Sequence, residues 1–116
     1  MVFKGVYRDF SLKNEEQYDT IGRFWDEMSE RYGIECLIGL GYEWCGARIR
    51  YAIGLRDGVI DDANVTAILP DVGWTTVCGL TDELPKIYAE IYREGALRVE
   101  LESFTEDGRC EIRYIR

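Results

Sequence analysis

The stretch LRVELESFTEDGRCEIRYI at residues 97–115 decides the fold class. Apolar and polar residues alternate on both sides of Asp107-Gly108. A D-G dipeptide between two alternating segments is a strong signal for a β-hairpin. The sequence therefore predicts strands over residues 97–104 and 109–115, joined by a tight turn.

An amphipathic helix precedes this hairpin. Apolar residues recur at steps of three and four from Leu84 to Tyr92, which is the spacing of one helical face. Pro85 falls in the first turn, where the missing N–H is tolerated. Residues 65–79 are strand-like but broken at Pro70, because proline bars a regular central ladder.

The first half of the chain shows the same order of elements. Residues 2–8 predict a strand, and residues 15–32 predict an amphipathic helix with Asn14 as its N-cap. Residues 34–44 and 47–55 are dense in β-branched and aromatic residues and predict a hairpin. The chain is therefore predicted to be an α+β protein.

The order strand, helix, hairpin occurs twice, which indicates a duplicated β-α-β-β unit. The letters IRY stand at residues 49–51 and again at residues 112–114, in the last strand of each half. We predict one domain over residues 1–116, with pseudo-repeats at 1–56 and 63–116.

Composition excludes several functions. The chain has 116 residues, 14 Lys and Arg against 22 Asp and Glu, a net charge of −8, and no histidine. The lack of histidine excludes His-based acid–base and nucleophile chemistry, and the acidity disfavours nucleic acid or an anionic membrane as partner. With no leader, no membrane-length apolar run and no metal-site cysteine spacing, we expect a cytoplasmic protein without metal or cofactor.

Several local strings, in their order along the chain, resemble one known family. They are FKGV at residues 3–6, Phe24-Trp25 in the first helix, RYAIG at 50–54, GWTTV at 73–77 and CEIRYI at 110–115. Together they are similar to the GyrI-like small-molecule-binding domains, which also serve as effector-binding domains of AraC- and MerR-type multidrug transcription regulators.

The resemblance implies a pseudo-symmetric antiparallel sheet with both helices on one side and a ligand cleft on the other. In the family the cleft is lined by aromatic residues, has an acidic residue near its floor and binds bulky, often cationic, planar compounds. No DNA-binding segment precedes the first strand of this chain, so the resemblance implies a stand-alone module that does not bind a promoter by itself.

Glu111 is the first candidate for a ligand-binding acid, because it matches the closing-strand glutamate of the family. A carboxylate in the middle of a strand also departs from strand preference. The alternative is an exposed, arginine-paired residue, since alternation puts Glu111 on the same face as Arg109 and Arg113. The other strand carboxylates are candidates for a second acid: Glu43, Glu100 and Glu102.

Aromatic residues supply the candidate walls of the site. Trp74 matches the Gly-aromatic position of the family, and Trp44 is either a cleft wall or a rim residue. Tyr51 is assigned by alternation to the helix side, although the resemblance keeps it as a cleft residue. Tyr7 fits either face, whereas Trp25 lies on the apolar stripe of its helix and is predicted to be core.

Three functions are compatible with these residues. The first is a binding module that senses or sequesters a bulky aromatic compound, for which a cationic charge is expected, and this is the preferred interpretation. The second is a hydrolase of cyclopropane-bearing DNA-alkylating toxins, with Glu111 orienting the attacking water. The third is an acidic inhibitor that binds another protein, as gyrase inhibitors do. Both a monomer and a dimer are open.

Overall fold

Seven antiparallel strands and two helices follow one another along the chain in the computed structural model, which describes residues 1–116. The α+β class is therefore confirmed. No helix of the chain combines the length and the apolar character needed to cross a membrane. The elements are β1 (Val2–Ser11), α1 (Gln17–Tyr32), β2 (Leu37–Cys45), β3 (Arg48–Leu55), β4 (Val65–Ile68), β5 (Thr75–Leu80), α2 (Leu84–Arg93), β6 (Val99–Phe104) and β7 (Arg109–Ile115).

The strands form one open sheet in the order β4-β1-β3-β2-β6-β7-β5. Its centre is the pairing of β2 with β6, in which Gly39 lies opposite Glu102 and Gly41 lies opposite Glu100. Both hairpins predicted from the sequence are present, β2–β3 and β6–β7. The strands β1–β3 and β5–β7 therefore meet along the middle of the sheet, whereas β4 of the second half pairs with β1 at the far edge of the first half.

One side of the sheet, called here the helix face, packs against α1 and α2. Its core is a cluster of 14 buried residues that includes Trp25 from α1, Tyr51 from β3 and Tyr114 from β7. The prediction that Trp25 is core and that both tyrosines point to the helices is confirmed. Burial of each large side chain contributes roughly 1.5–3 kcal/mol, so this cluster is the main source of stability.

The opposite side of the sheet, called here the outer face, has a smaller core of six buried residues. Leu69 belongs to this core and Trp74 packs against it. Both lie on the connection between β4 and β5, the strands at the two edges of the sheet, so that this connection crosses the outer face. The resemblance implies a ligand cleft on this face, and the crossing segment packs against the outer core there through Leu69 and Trp74.

The start of α1 differs from the prediction that Asn14 is its N-cap. Asn14 and Glu15 both have left-handed backbone conformations, with φ of 53° and 57°, and α1 begins only at Gln17. Asn14 makes no side-chain capping bond within the short 3-10 turn that precedes the helix. Asparagine tolerates the left-handed region better than most residues, and here it is used for the turn instead of the cap.

Candidate functional site

A cavity of about 320 Å³ lies between the two helices and the helix face of the sheet. This volume falls in the range of about 300–1,000 Å³ that is usual for small-molecule sites. None of its lining residues is Lys or Arg. Both helices and two strands supply its aromatic lining: Tyr18, Trp25, Tyr51, Tyr88, Tyr92 and Phe104.

Two carboxylates from β6 also line this cavity. Glu100 and Glu102 are each only 4% exposed, and alternation on β6 turns both toward the helices while Leu101 faces the other way. The sequence offered both as candidates for a second acid. They are two residues apart on the strand, so their side chains lie next to each other on the same face. The site therefore holds two buried acids in a largely apolar environment, and the exposed Asp26 of α1 is a third carboxylate in its lining.

Glycines on the neighbouring strand β2 make room for this cluster. A Cβ added to Gly41 would lie 2.6 Å from Oε1 of Glu100, and one added to Gly39 would lie 2.0 Å from the hydroxyl oxygen of Tyr51. No side chain fits at those distances, because the glycine backbone is in direct contact with both residues. Close approach of a backbone is a recognised reason for glycine inside a strand.

Glu102 is held by a chain of hydrogen bonds. The Tyr51 hydroxyl donates to Oε1 of Glu102, and the Tyr88 hydroxyl donates to Oε2 at 2.6 Å. The Trp25 indole N–H donates in turn to the Tyr51 oxygen at 2.7 Å. Both carboxylate oxygens of Glu102 are thus satisfied by neutral donors.

Glu100 has weaker support, which comes from the neighbouring Tyr88 hydroxyl. Its Oε2 is buried and has no hydrogen-bond partner. Burial, together with the charge of Glu102, raises the pKa of Glu100 well above its usual value of 4.5. Burial also raises the pKa of Glu102, although the hydroxyls of Tyr51 and Tyr88 oppose this rise. The proton is therefore held more readily by Glu100, and Glu102 is the better anion.

The tyrosines of the cavity form a stacked wall. The rings of Tyr88 and Tyr92 are stacked with centroids 5.6 Å apart, and Tyr18 lies 6.4 Å from Tyr88. Burial and nearby glutamates raise the pKa of Tyr18 to about 12, so this phenol stays neutral at physiological pH. The wall offers flat π surfaces and neutral hydroxyls.

Glu111 and Trp74, the first candidates from the sequence, lie on the outer face. The Glu111 side chain is 47% exposed and pairs with Arg113 at 3.5 Å. The Arg113 guanidinium lies 6.0 Å from the centre of the Trp74 ring, whose N–H donates to the carbonyl of Pro70 at 2.9 Å. The arginine pairing that the sequence left open is present.

Tyr7 and Glu43 also lie on the outer face, around a second arginine. Arg50 sits 4.6 Å above the Tyr7 ring, pairs with Glu43 at 3.1 Å and with Asp9 at 2.9 Å. Trp44 instead packs against the core of the helix face. Of the predicted site residues, Tyr51 alone lines the cavity, together with the second-acid candidates Glu100 and Glu102.

A wider hollow of about 600 Å³ lies near the start of β1. Its lining includes Phe3, Leu69 and Leu101 together with Lys4 and Arg56, and it contains no carboxylate. Its charge is thus opposite to that of the helix-face cavity. A cation would find no counter-charge there.

Sequence reasoning missed Tyr88 as a site residue and gave no role to Gly39 or Gly41. A signal for the glycines was present, since two alternate positions of a predicted strand lacked side chains. Tyr88 lies on the apolar stripe of α2, a pattern that predicts a core position and carries no signal for a binding site. No group of three or more cysteine or carboxylate side chains in the chain is arranged to hold a metal ion.

Comparisons with protein-family models, with curated proteins and with solved structures give no significant match.

Proposed function

We propose that the protein binds a bulky aromatic cation in the helix-face cavity. Glu100 and Glu102 supply the counter-charge, and the stacked tyrosines supply the walls. The observation that carries this proposal is the pair of buried carboxylates that no Lys or Arg neutralises. A small-molecule sensor or a protein that sequesters a drug or toxin would need this combination.

The electrostatic argument rests on the cost of burying the two acids. A buried charge without a partner is strongly unfavourable, and a group in that position keeps its proton instead. A ligand cation at about 4 Å would interact with one carboxylate by about 4 kcal/mol at an effective dielectric constant near 20. The cavity is therefore suited to a positively charged ligand and unsuited to a negatively charged one.

The aromatic walls favour a flat guest. A cation over the face of a tyrosine or tryptophan ring gains roughly 0.5–2 kcal/mol, with the larger value for desolvated pairs. The Tyr88 and Tyr92 rings already stack on each other and lie in the lining. A planar aromatic cation can stack on these rings, whereas a small inorganic cation has no flat surface with which to stack.

The proposal keeps the GyrI-like resemblance but moves the site to the helix face. The strand orders β1-β3-β2 and β6-β7-β5 mirror each other across the β2–β6 pair, which supports a pseudo-symmetric duplication. The repeated IRY letters fall on β3 and β7, which hold equivalent places in the two orders. We locate the family-type acid on β6 instead of at Glu111 on β7.

Fluorescence titration of a rhodamine-type cationic dye, with fluorescein as its anionic counterpart, tests this proposal. Replacing both Glu100 and Glu102 by Gln should weaken cation binding by roughly 100-fold or more, since it removes the counter-charge. The matched control replaces Glu43 and Glu111 by Gln on the outer face and should leave the affinity unchanged. The reverse pattern would locate the site on the outer face and contradict the proposal.

The hydrolase is the second candidate, and Glu100 is the reason to keep it. In its ionised form Glu100 has an oxygen without a hydrogen-bond partner in an aromatic cavity, and its raised pKa makes it a stronger base toward an attacking water than an ordinary glutamate. Incubation with a cyclopropane-bearing alkylating toxin, followed by product analysis, distinguishes the two functions. A binder returns the toxin unchanged, whereas a hydrolase yields the ring-opened alcohol, and Glu100→Gln then abolishes turnover.

A further inference from the structure

The two acids of the cavity differ in their hydrogen bonds. Each oxygen of Glu102 accepts a bond from one tyrosine hydroxyl. The Tyr51 oxygen accepts from Trp25, so its own proton is directed to Glu102. The protein therefore already supplies a hydrogen bond to each oxygen of Glu102, and this residue acts on a ligand mainly through its charge.

Elsewhere in the cavity several buried acceptors have no donor. Three of its lining residues have a buried oxygen without a partner: Oε2 of Glu100, Oε1 of Gln17 and Oγ1 of Thr81. The Gln17 oxygen can only accept a hydrogen bond, and the Glu100 oxygen can only accept when Glu100 is ionised. The Thr81 hydroxyl can accept as well as donate. A buried acceptor left unpaired costs free energy that a donor on the ligand would recover.

We propose that the ligand is a cation with N–H donors, a protonated amine or an amidinium on an aromatic body, and that Oε2 of Glu100 accepts one of these N–H groups. This inference rests on the proposed function and names its ligand class. A quaternary ammonium carries the same charge but has no N–H. It would satisfy the electrostatic demand of the site and leave the Glu100 oxygen unpaired.

Glu100 is thus the specificity-determining acid and Glu102 the general counter-charge. Gln17 and Thr81 supply further acceptors at the starts of the two helices, for a second N–H of an amidinium or a primary amine. No other group in the lining competes for these oxygens through a positive charge. The distinction between the two glutamates makes the inference testable with one pair of ligands.

The test compares 9-(aminomethyl)anthracene, as its ammonium, with its N,N,N-trimethylated counterpart. Both have the same aromatic body and charge, and both are followed by anthracene fluorescence at pH 7. We expect the wild-type protein to bind the ammonium at least about tenfold more tightly, as a charge-assisted hydrogen bond implies. Glu100→Leu should remove this preference, whereas Glu102→Gln should weaken both ligands alike and retain it.

The outcomes separate the inference from the proposed function. Equal affinity of the two ligands for the wild-type protein would overturn the inference and leave the proposed function standing. A preference that persists in Glu100→Leu would also overturn it, because another acceptor would then be responsible. Failure of both ligands and of rhodamine to bind would overturn the proposed function itself. If Glu100→Leu does not fold by circular dichroism, the wild-type comparison and Glu102→Gln still decide the result.

Discussion

The two faces of the sheet treat the same residue type in opposite ways. On the outer face, Glu43 pairs with Arg50 and Glu111 pairs with Arg113. On the helix face, Glu100 and Glu102 are buried with no arginine or lysine among the cavity lining. The comparison teaches that a strand carboxylate is available to a ligand cation only where no arginine or lysine of the protein already pairs with it.

On the outer face, the candidate acids and aromatic rings are already paired with arginines of the protein. Two of its arginines, Arg50 and Arg113, each lie over an aromatic ring as well as beside an acid. A ligand cation would have to displace a guanidinium from Tyr7 or Trp74, which are already used as stacking surfaces. On the helix face, arginines lie over Phe24 and Tyr114, but the aromatic rings and buried acids that line the cavity have no cationic partner.

The largest effect on stability is expected for a substitution at Gly39, next to the buried acids of the helix face. In Gly39→Ala the new Cβ would lie 2.0 Å from the Tyr51 oxygen and 2.8 Å from Cζ2 of Trp25. Tyr51 is held by its bond to Glu102, and Trp25 is held by its bond to Tyr51, so we expect a loss of about 3 kcal/mol in the free energy of unfolding. Urea denaturation measures it.

Gly22→Ala is the control for this substitution. Gly22 lies within α1 and a Cβ there would meet nothing within 4 Å. We expect a gain of about 0.5 kcal/mol from the better helix propensity of alanine. Equal stability of Gly39→Ala and the wild-type protein would mean that the cluster is not packed against β2.

A smaller break is expected at the tyrosine hydroxyls. Tyr51→Phe leaves the Trp25 N–H and Oε1 of Glu102 unpaired in the core, which should cost about 2 kcal/mol at pH 7. Tyr7→Phe on the outer face removes a hydroxyl with no such role and should change stability by less than about 0.5 kcal/mol. Thermal unfolding of the two variants compares them directly, and similar losses would argue against the buried chain of hydrogen bonds.

Acid and base should affect the two faces in opposite directions. The pKa of Glu100 is raised in the folded state, so the unfolded chain loses this proton first as the pH rises. Stability from this group is therefore fullest below about pH 4.5 and falls as the pH rises toward the folded pKa, with a slope of at most about 1.4 kcal/mol per pH unit. Glu100→Gln should reduce the change of the urea midpoint with pH between pH 5 and 8, while Glu111→Gln should leave that change as it is.

The smallest effect is expected at Asp9 on the outer face. The hydrogen bond from Arg50 lowers the pKa of Asp9, so its contribution is present above the unfolded value of 3.8 and is lost as the pH falls through the folded value. Exposed ion pairs contribute little and are screened by salt. Asp9→Asn should therefore leave the urea midpoint at pH 7 and high salt unchanged, and a large loss there would show that this pair is not merely a surface contact.

The strands and hairpins were predictable because their signals are local. The D-G turn fixes the register of β6 against β7, and alternation then assigns Tyr114 to the helix face and Glu111 to the outer face. The same alternation puts Glu100 and Glu102 on the helix face. The failure at Asn14 is also local, because one residue type serves both caps and left-handed turns.

The site itself was not predictable from these signals. Its centre depends on the pairing of Gly39 with Glu102 and of Gly41 with Glu100, and no turn joins β2 to β6 to set that register. The lack of a counter-ion is likewise a property of the assembled helices, since α1 and α2 bring tyrosines where they could have brought arginine. The sequence favours Glu111 because it matches the closing-strand glutamate of the family and departs from strand preference, and the contact with Arg113 that occupies it depends on side-chain conformations in the folded protein.

The most direct test is a ¹³C NMR titration of the glutamate side-chain carboxyl carbons with pH, with and without 9-(aminomethyl)anthracene. The central claim is that the functional acid is Glu100 on the helix face. It predicts that the Glu100 carbon titrates well above 4.5 in the free protein, that the ligand moves this midpoint downward, and that the Glu111 resonance stays in place. A Glu100 midpoint near 4.5, or a ligand that shifts Glu111 and leaves Glu100 unmoved, would contradict it.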